Sequence, residues 1–266
     1  MIIIGERING MFRNVRAAIQ EKDAAVVQDL ARRQLEAGAS ILDVNVGPAS
    51  DHPKEAILLL VKVIQEAVDA TLSLDSPNSE VIEAGLQLCR KPALINSTTG
   101  KQEDLDRLLP LAQQYGASLI GLMIDENGIP STVEGRVEIG LRIVMEALAY
   151  DITPDRLYLD PIVLPVKHAQ DQLPKVLEAL VQFQMVSDPP PHTVVGLSNV
   201  SQGTLVRPLV NRTCLVLCMA RGLDSAILDP NDTELMDAMI TAELLLNKNL
   251  YCDSYLDAYR KSQRGG

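Results

Sequence analysis

The sequence predicts a single (β/α)8 barrel, and three observations predict it. Short runs rich in Val, Leu and Ile alternate eight times with helical segments, and each run ends on an acid or an amide. Eight such units in 266 residues average about 33 residues each, close to the roughly 250 residues of a (β/α)8 barrel. No low-complexity linker interrupts the alternation, so residues 1–266 read as one barrel domain with a short C-terminal helical extension. A doubly wound open sheet would share the alternation but does not require eight units.

In chain order, the first strand is Ile2–Arg7, followed by a helix within Asp23–Ala37. The second is Ile41–Asn45, with a helix from about Pro53 to Val68, and the third is Thr71–Asp75, with a helix from about Asn78 to Leu88. The fourth is Ala93–Asn96, with a helix from about Gln102 to Tyr115, and the fifth is Ser118–Asp125, with a helix from about Thr132 to Tyr150. The sixth is Leu157–Asp160, with a helix from about Ala169 to Val186. The seventh opens the stretch Thr193–Pro208, whose helix runs from about Val206 to Arg221. The eighth is Ser225–Asp229, with a helix from about Asp232 to Asn247, and Ser254–Lys261 reads as a final exposed helix. Gly38, Gly116 and Gly222 each follow a helix, where a left-handed cap favours glycine. Ser76-Pro77-Asn78 and Asp229-Pro230-Asn231-Asp232 punctuate helix starts.

Composition sets the outer limits. At 47% hydrophobic the chain can fill a large core. A net charge of -11 and a pI near 4.8 argue against nucleic acid, which needs a basic footprint. The apolar start Met1–Ile4 meets Glu6 and Arg7 at once, too short for a signal peptide, and no run reaches the length of a membrane span. Cys89, Cys214, Cys218 and Cys252 lack CxxC spacing and read as reduced thiols in a cytoplasmic protein. Cys214 and Cys218 are one turn apart on an apolar helix; two ligands do not make a zinc site, so they read as packing and no metal is expected.

The strand ends carry the function. TVVGLSNVSQGTLVRP, residues 193–208, is an apolar run ending in small polar residues, as a parallel strand covered on both faces would. Across the chain the ends are Glu6, Asn45 (with Asp43 before it), Asp75, Asn96, Asp125, Asp160, Asn199 and Asp229. In a barrel these face one mouth. Asp125 in DENG and Asp229 in DPND suit local turns better than a site. Only Arg7 and Arg207 lie close in sequence, which is little for a phosphate. A carboxylate can accept two parallel N–H bonds from a guanidine-like edge, such as that of a 2-amino-4-oxo pterin.

GERING (5–10), LDVNVG (42–47), SLDS (73–76), INST (95–98), YLDP (158–161) and GLSNVSQG (196–203) resemble the pterin-binding barrel family. Within it the chain resembles the methyltetrahydrofolate:corrinoid/iron–sulfur protein methyltransferases of the acetyl-CoA pathway, from Ile2 to about Asp253. The resemblance implies that Asp75, Asn96 and Asp160 bond the pterin ring and that Asn199 reaches the methyl-bearing nitrogen. It makes Gln202 and Arg207 further folate contacts and puts Glu6, Gly196 and Ser198 in the same pocket.

The implied reaction moves the methyl group of 5-methyltetrahydrofolate to a cobalt(I) corrinoid on a partner. The catalytic candidates are Asn199, as a donor to that nitrogen, and Asp160, in a network bringing the proton from solvent. His52, His168 and His192 read as solvated loop or helix-start residues. There is no DxHxxG corrinoid signature and no cysteine cluster, so both of the partner's cofactors would arrive with it. The helices at 209–221 and 233–247 are apolar on more than one side and point to a homodimer, as the resemblance also does. The alternatives are a sister corrinoid methyltransferase using another carrier protein, a dihydropteroate synthase, and a non-catalytic folate-binding protein. The synthase would need basic residues for pyrophosphate, and strand seven ends in Ser198-Asn199 without a lysine.

Overall fold

The computed structural model describes residues 1–252 and 255–257 of the chain. Among them, eight parallel strands form one sheet in the order β7-β6-β5-β4-β3-β2-β1-β8. The strands are β1 (Ile2–Asn9), β2 (Ile41–Asn45), β3 (Thr71–Asp75), β4 (Leu94–Thr99), β5 (Ser118–Leu122), β6 (Leu157–Asp160), β7 (His192–Thr193) and β8 (Ser225–Leu228). The sheet closes where the Ile227 N–H donates to the Val195 carbonyl at 3.0 Å and the Ser225 hydroxyl to the Thr193 carbonyl at 2.6 Å. The result is a (β/α)8 barrel, with helices α1 (Arg13–Glu21), α2 (Ala24–Glu36), α3 (Pro53–Ala67), α4 (Ser79–Leu88), α5 (Gln102–Gln114), α6 (Val133–Ala149), α7 (Leu173–Phe183), α8 (Arg207–Ala220) and α9 (Thr233–Leu245) around it.

Alternation along the strands decides what the barrel holds. Side chains point inward at every second residue. One inward layer is apolar: Ile4, Ile41, Leu94, Ile120, Tyr158 and Val194 pack together, with Ile2, Leu122 and Ile227 against them. Two residues further along, in or just past the strands, lie Glu6, Asp43, Asn96, Asp160, Gly196 and Asp229, while β5 presents Leu122. An apolar plug therefore floors the barrel, and a polar layer lies directly above it. Val44, Leu72, Leu74, Ile95, Leu119 and Leu159 belong to the much larger outer core under the helices.

Most expected elements lie within a few residues of their predicted bounds. Gly38, Gly116 and Gly222 have φ of 104, 61 and 100°, the left-handed caps expected of them. Helix α1 was not expected; it buries Val15, Ala18 and Ile19, the i, i+3, i+4 stripe of a short amphipathic turn. Strand five stops at Leu122, three residues early, and Asp125 instead bridges Gly128 in a tight loop. Strand seven pairs regularly with β6 only at His192–Thr193, because beyond Gly196 the chain winds into a single 3-10 turn, Leu197–Asn199. The expected helix Ser254–Lys261 lies largely outside the described residues; Tyr255–Asp257 are helical.

His192 departs from its expected solvation. It is half-buried, stacks on Tyr158 with centroids 4.7 Å apart, and bonds Asp224 through Nδ1 at 2.6 Å. That hydrogen bond pushes its pKa up. The pair closes the amino end of the barrel, away from the polar layer. His52 and His168 are exposed.

Candidate functional site

The polar layer is tightest between β2, β3 and β4. In register, Asn45 lies beside Asp75 and Asp75 beside Asn96. The Asn45 amide donates to Asp75 Oδ2 at 2.5 Å, while its own oxygen accepts the Gly47 N–H at 2.6 Å. Beneath them Asp43 Oδ1 accepts two bonds, from Ser73 Oγ at 2.6 Å and from Asn96 Nδ2 at 3.1 Å. A cleft of about 250 Å³ opens at this edge, lined by Asp75, Asn96, Ser97, Thr99, Leu108 and Leu122.

Across the mouth, Asp160 ends β6 opposite Leu122 of β5. Its Oδ1 accepts the Ile162 N–H at 2.7 Å, and the Gly196 N–H also favours its charged form. A Cβ at Gly196 would lie 3.0 Å from Asn199 Nδ2, so a side chain there would require Asn199 to shift by a few tenths of an ångström. Asn199 is exposed on the 3-10 turn above it, and the Gln202 N–H bonds the Asn199 carbonyl at 3.2 Å. Ser198 donates to Glu6 Oε1 at 2.7 Å, joining that turn to β1. Arg207, exposed at the start of α8, spans the same turn by bonding Ser201 Oγ at 3.1 Å and the Ser198 carbonyl at 3.2 Å.

Burial makes these carboxyls weak acids. Asp43 is raised to about 8, first by desolvation and then by the charge of Asp75. Asp160 is raised to about 7 by burial, against its two backbone N–H bonds. Burial also lifts Asp75 and Glu6. Two carboxyls so close cannot both ionise cheaply. Asp43, fully enclosed, is the one that keeps its proton near neutrality, on the oxygen that receives no donor. The Asn45 amide works against the rise at Asp75 by bonding its carboxylate.

The structure therefore gathers Glu6, Asp75, Asn96, Asp160, Gly196, Ser198 and Asn199 at one opening, with Gln202 and Arg207 on its rim. Asp125 stands apart, with Oδ1 on the Asn127 N–H at 2.7 Å, and Asp229 caps its own turn through Asn231 at 3.0 Å. Asp229 still touches the ring, since its Oδ2 lies 3.5 Å from Arg7 Nε. Asn45 and Asp43 were expected at the mouth but without a folate-binding role, and Ser73 was not expected there. Their signal was available in ILDVN and LSLD, where polar residues sit at every second position of otherwise apolar strands. Lys167 was also missed; its chain lies over Gly203, where a Cβ would meet Lys167 Cδ at 3.1 Å.

A barrel whose strand ends assemble acids and amides around a cleft defines a class of protein, and the chain belongs to the pterin-binding enzyme family, which matches residues 11–229. Over its whole length it is 37% identical to a methylcorrinoid:tetrahydrofolate methyltransferase of Eubacterium limosum, covering 98% of that protein. It is 27% identical to a methionine synthase of Mycobacterium leprae over 85% of this chain and 20% of that protein. The fold is shared with Yersinia pestis dihydropteroate synthase bound to a pterine-sulfa conjugate, with TM-score 0.68 at 20% identity over 92% of this chain and 94% of that one. Among the described residues, no helix is long and apolar enough to cross a membrane, and no group of three His, Cys, Asp or Glu could hold a metal.

Proposed function

We propose that this chain transfers a methyl group between tetrahydrofolate and the cobalt of a corrinoid carried by a partner protein. One observation supports the reading: Asp75, Asn96 and Asp160 stand at the carboxyl ends of β3, β4 and β6, on the same end of the barrel, among acids and amides. That chemistry suits the N–H edge of a pterin. The full-length likeness to the Eubacterium limosum enzyme narrows pterin chemistry to methyl transfer. In this reading Asp75, Asn96 and Asp160 hold the ring, and Glu6, Gly196, Ser198, Gln202 and Arg207 complete the folate pocket.

The chemical obstacle is the leaving group. As the methyl carbon bonds to cobalt with the metal's electron pair, the carbon–nitrogen pair returns to the pterin nitrogen, which must take a proton. Asn199 donates a hydrogen bond there and so favours the transition state over the ground state. A carboxyl raised to about 7 exchanges protons readily near neutrality, and Asp160 is such a group, placed behind Gly196. The same residues serve the reverse direction.

Partner identity is the finer part of the proposal. The motif resemblance supports a corrinoid/iron–sulfur protein; the name of the full-length relative supports a corrinoid protein without specifying a cluster. The test mixes the protein with methyltetrahydrofolate and free cob(I)alamin and follows the cobalt spectrum. Methylcobalamin should form only with enzyme present, and an unchanged spectrum would sink the reading. Repeating the assay with each class of corrinoid protein then distinguishes the partners.

We also propose a homodimer through α8 and α9. Cys214, Leu215, Cys218 and Met219 bury one face of α8, as the packing reading of the two thiols expects. Leu209, Val216 and Leu217 remain exposed on α8, and Leu245 and Leu246 on α9. Sedimentation at micromolar concentration should give twice the chain mass, and Leu209→Glu should shift it to one chain. A wild-type protein that sediments as a single chain removes the proposal.

A further inference from the structure

Arg136, on α6, is fully buried, yet no carboxylate among the described residues meets it at salt-bridge distance. Its Nε donates to the Pro161 carbonyl at 3.0 Å and its Nη2 to Gln172 Oε1 at 3.0 Å. Its Nη1 is buried with no hydrogen-bond partner among the described residues. Desolvation lowers the guanidinium's pKa, opposed by the exposed Asp171, whose own bonds go to Gln172 and Lys175. A buried cation with an unmet donor burdens folding in a way that an apolar side chain of similar length would not.

The two bonds Arg136 does make fall at both ends of one segment, residues 161–172, which joins β6 to α7. That segment starts immediately after Asp160. Ile162 has φ 66°, a left-handed conformation that β-branched residues rarely adopt, and its N–H is the one that bonds Asp160 Oδ1. Midway, the Val166 N–H donates to the Val200 carbonyl at 3.0 Å, tying the segment to the turn that bears Asn199. The chain thus leaves the site through a strained turn and needs something to hold it there.

We propose that Arg136 is a positioning residue for Asp160: clamping Pro161 and Gln172, it holds the turn at Ile162 and so aims the Asp160 carboxyl into the mouth. The inference rests on the reading of Asp160 as a folate contact.

The test is Arg136→Met, which keeps most of the side-chain length and removes the charge. The melting temperature should change little, because loss of the unmet buried donor offsets loss of the two bonds. The KM for methyltetrahydrofolate should rise about tenfold, as expected for one misaligned hydrogen bond, with kcat changing less. Amide exchange across residues 161–172 should accelerate. Arg136→Lys should restore part of the KM, and Gln172→Leu, which frees one end only, should shift KM and exchange less in the same direction. It also serves if Arg136→Met does not fold.

A folded Arg136→Met protein with wild-type KM overturns the proposal, whether or not exchange quickens. If wild-type protein binds no methyltetrahydrofolate, the functional reading fails separately. The clamp is then decided by exchange alone: acceleration at Ile162 supports it, and unchanged exchange overturns it.

Discussion

Asp75→Ala should weaken methyltetrahydrofolate binding roughly 10²- to 10³-fold, the scale for truncating one partner of a buried, charge-assisted pair. Asp75 lines the cleft, and the Asn45 amide that donates to it favours its charged form. Removal of Asp75 deletes the charged acceptor that the donors of the pterin edge would bond. Equilibrium titration would measure the effect, and a dissociation constant within threefold of wild type would exclude Asp75 from the pterin site. Asp43 and Asp75 together make a prediction for stability. Asp43 is raised from 3.8 to about 8, so between those values the folded chain holds a proton that the unfolded chain has released. The contribution of this group to stability must then fall as pH rises through that window, by up to about 1.4 kcal/mol per pH unit. Asp43→Asn should flatten the slope, and Asp75→Ala should reduce it, since the charge of Asp75 is the second cause of the shift. A melting profile from pH 5 to 9 that is identical in wild type and Asp43→Asn would contradict this.

Asn199→Ala should lower the single-turnover rate of methyl transfer about 10²-fold, the usual loss when one transition-state donor is removed. Folate affinity should change much less, because the bond strengthens only as charge develops at the nitrogen. Asn199 is exposed, so the substitution leaves no buried group unsatisfied and should alter stability by no more than about 0.5 kcal/mol. Rapid mixing with cob(I)alamin at saturating methyltetrahydrofolate isolates the step. An unchanged rate would move the role elsewhere, with Asp160 the next residue to examine.

Much of this protein is legible along the chain because a buried parallel strand is a local pattern. Ile41–Asn45 and Thr71–Asp75 have the bounds read from their apolar runs, and Gly38 and Gly222 mark helix ends by an intrinsic freedom of φ. Asp75, Asn96 and Asp160 stand where a strand's apolar run stops, so they are visible as candidates. Asp43 and Ser73 were harder to place. They lie inside apolar runs, and their meaning depends on which face of the strand looks into the barrel. Helix α1 was missed because its nine residues carry only a short stripe between loops. Asp125 shows the opposite error: it follows an apolar run, but its strand ends at Leu122 and the side chain turns into a local Asx bond.

The sequence by itself determined the eightfold alternation, the acids and amides at the strand ends, and hence the family. These are properties of neighbouring residues and of one-dimensional periodicity. Only the tertiary structure decided that the charge of Asp75 raises Asp43, that Gly196 lies against Asn199, and that Arg136 reaches Pro161 and Gln172 from another element. Each of those depends on burial or on groups brought together from distant segments, and neither desolvation nor separation in space can be read from position along a chain.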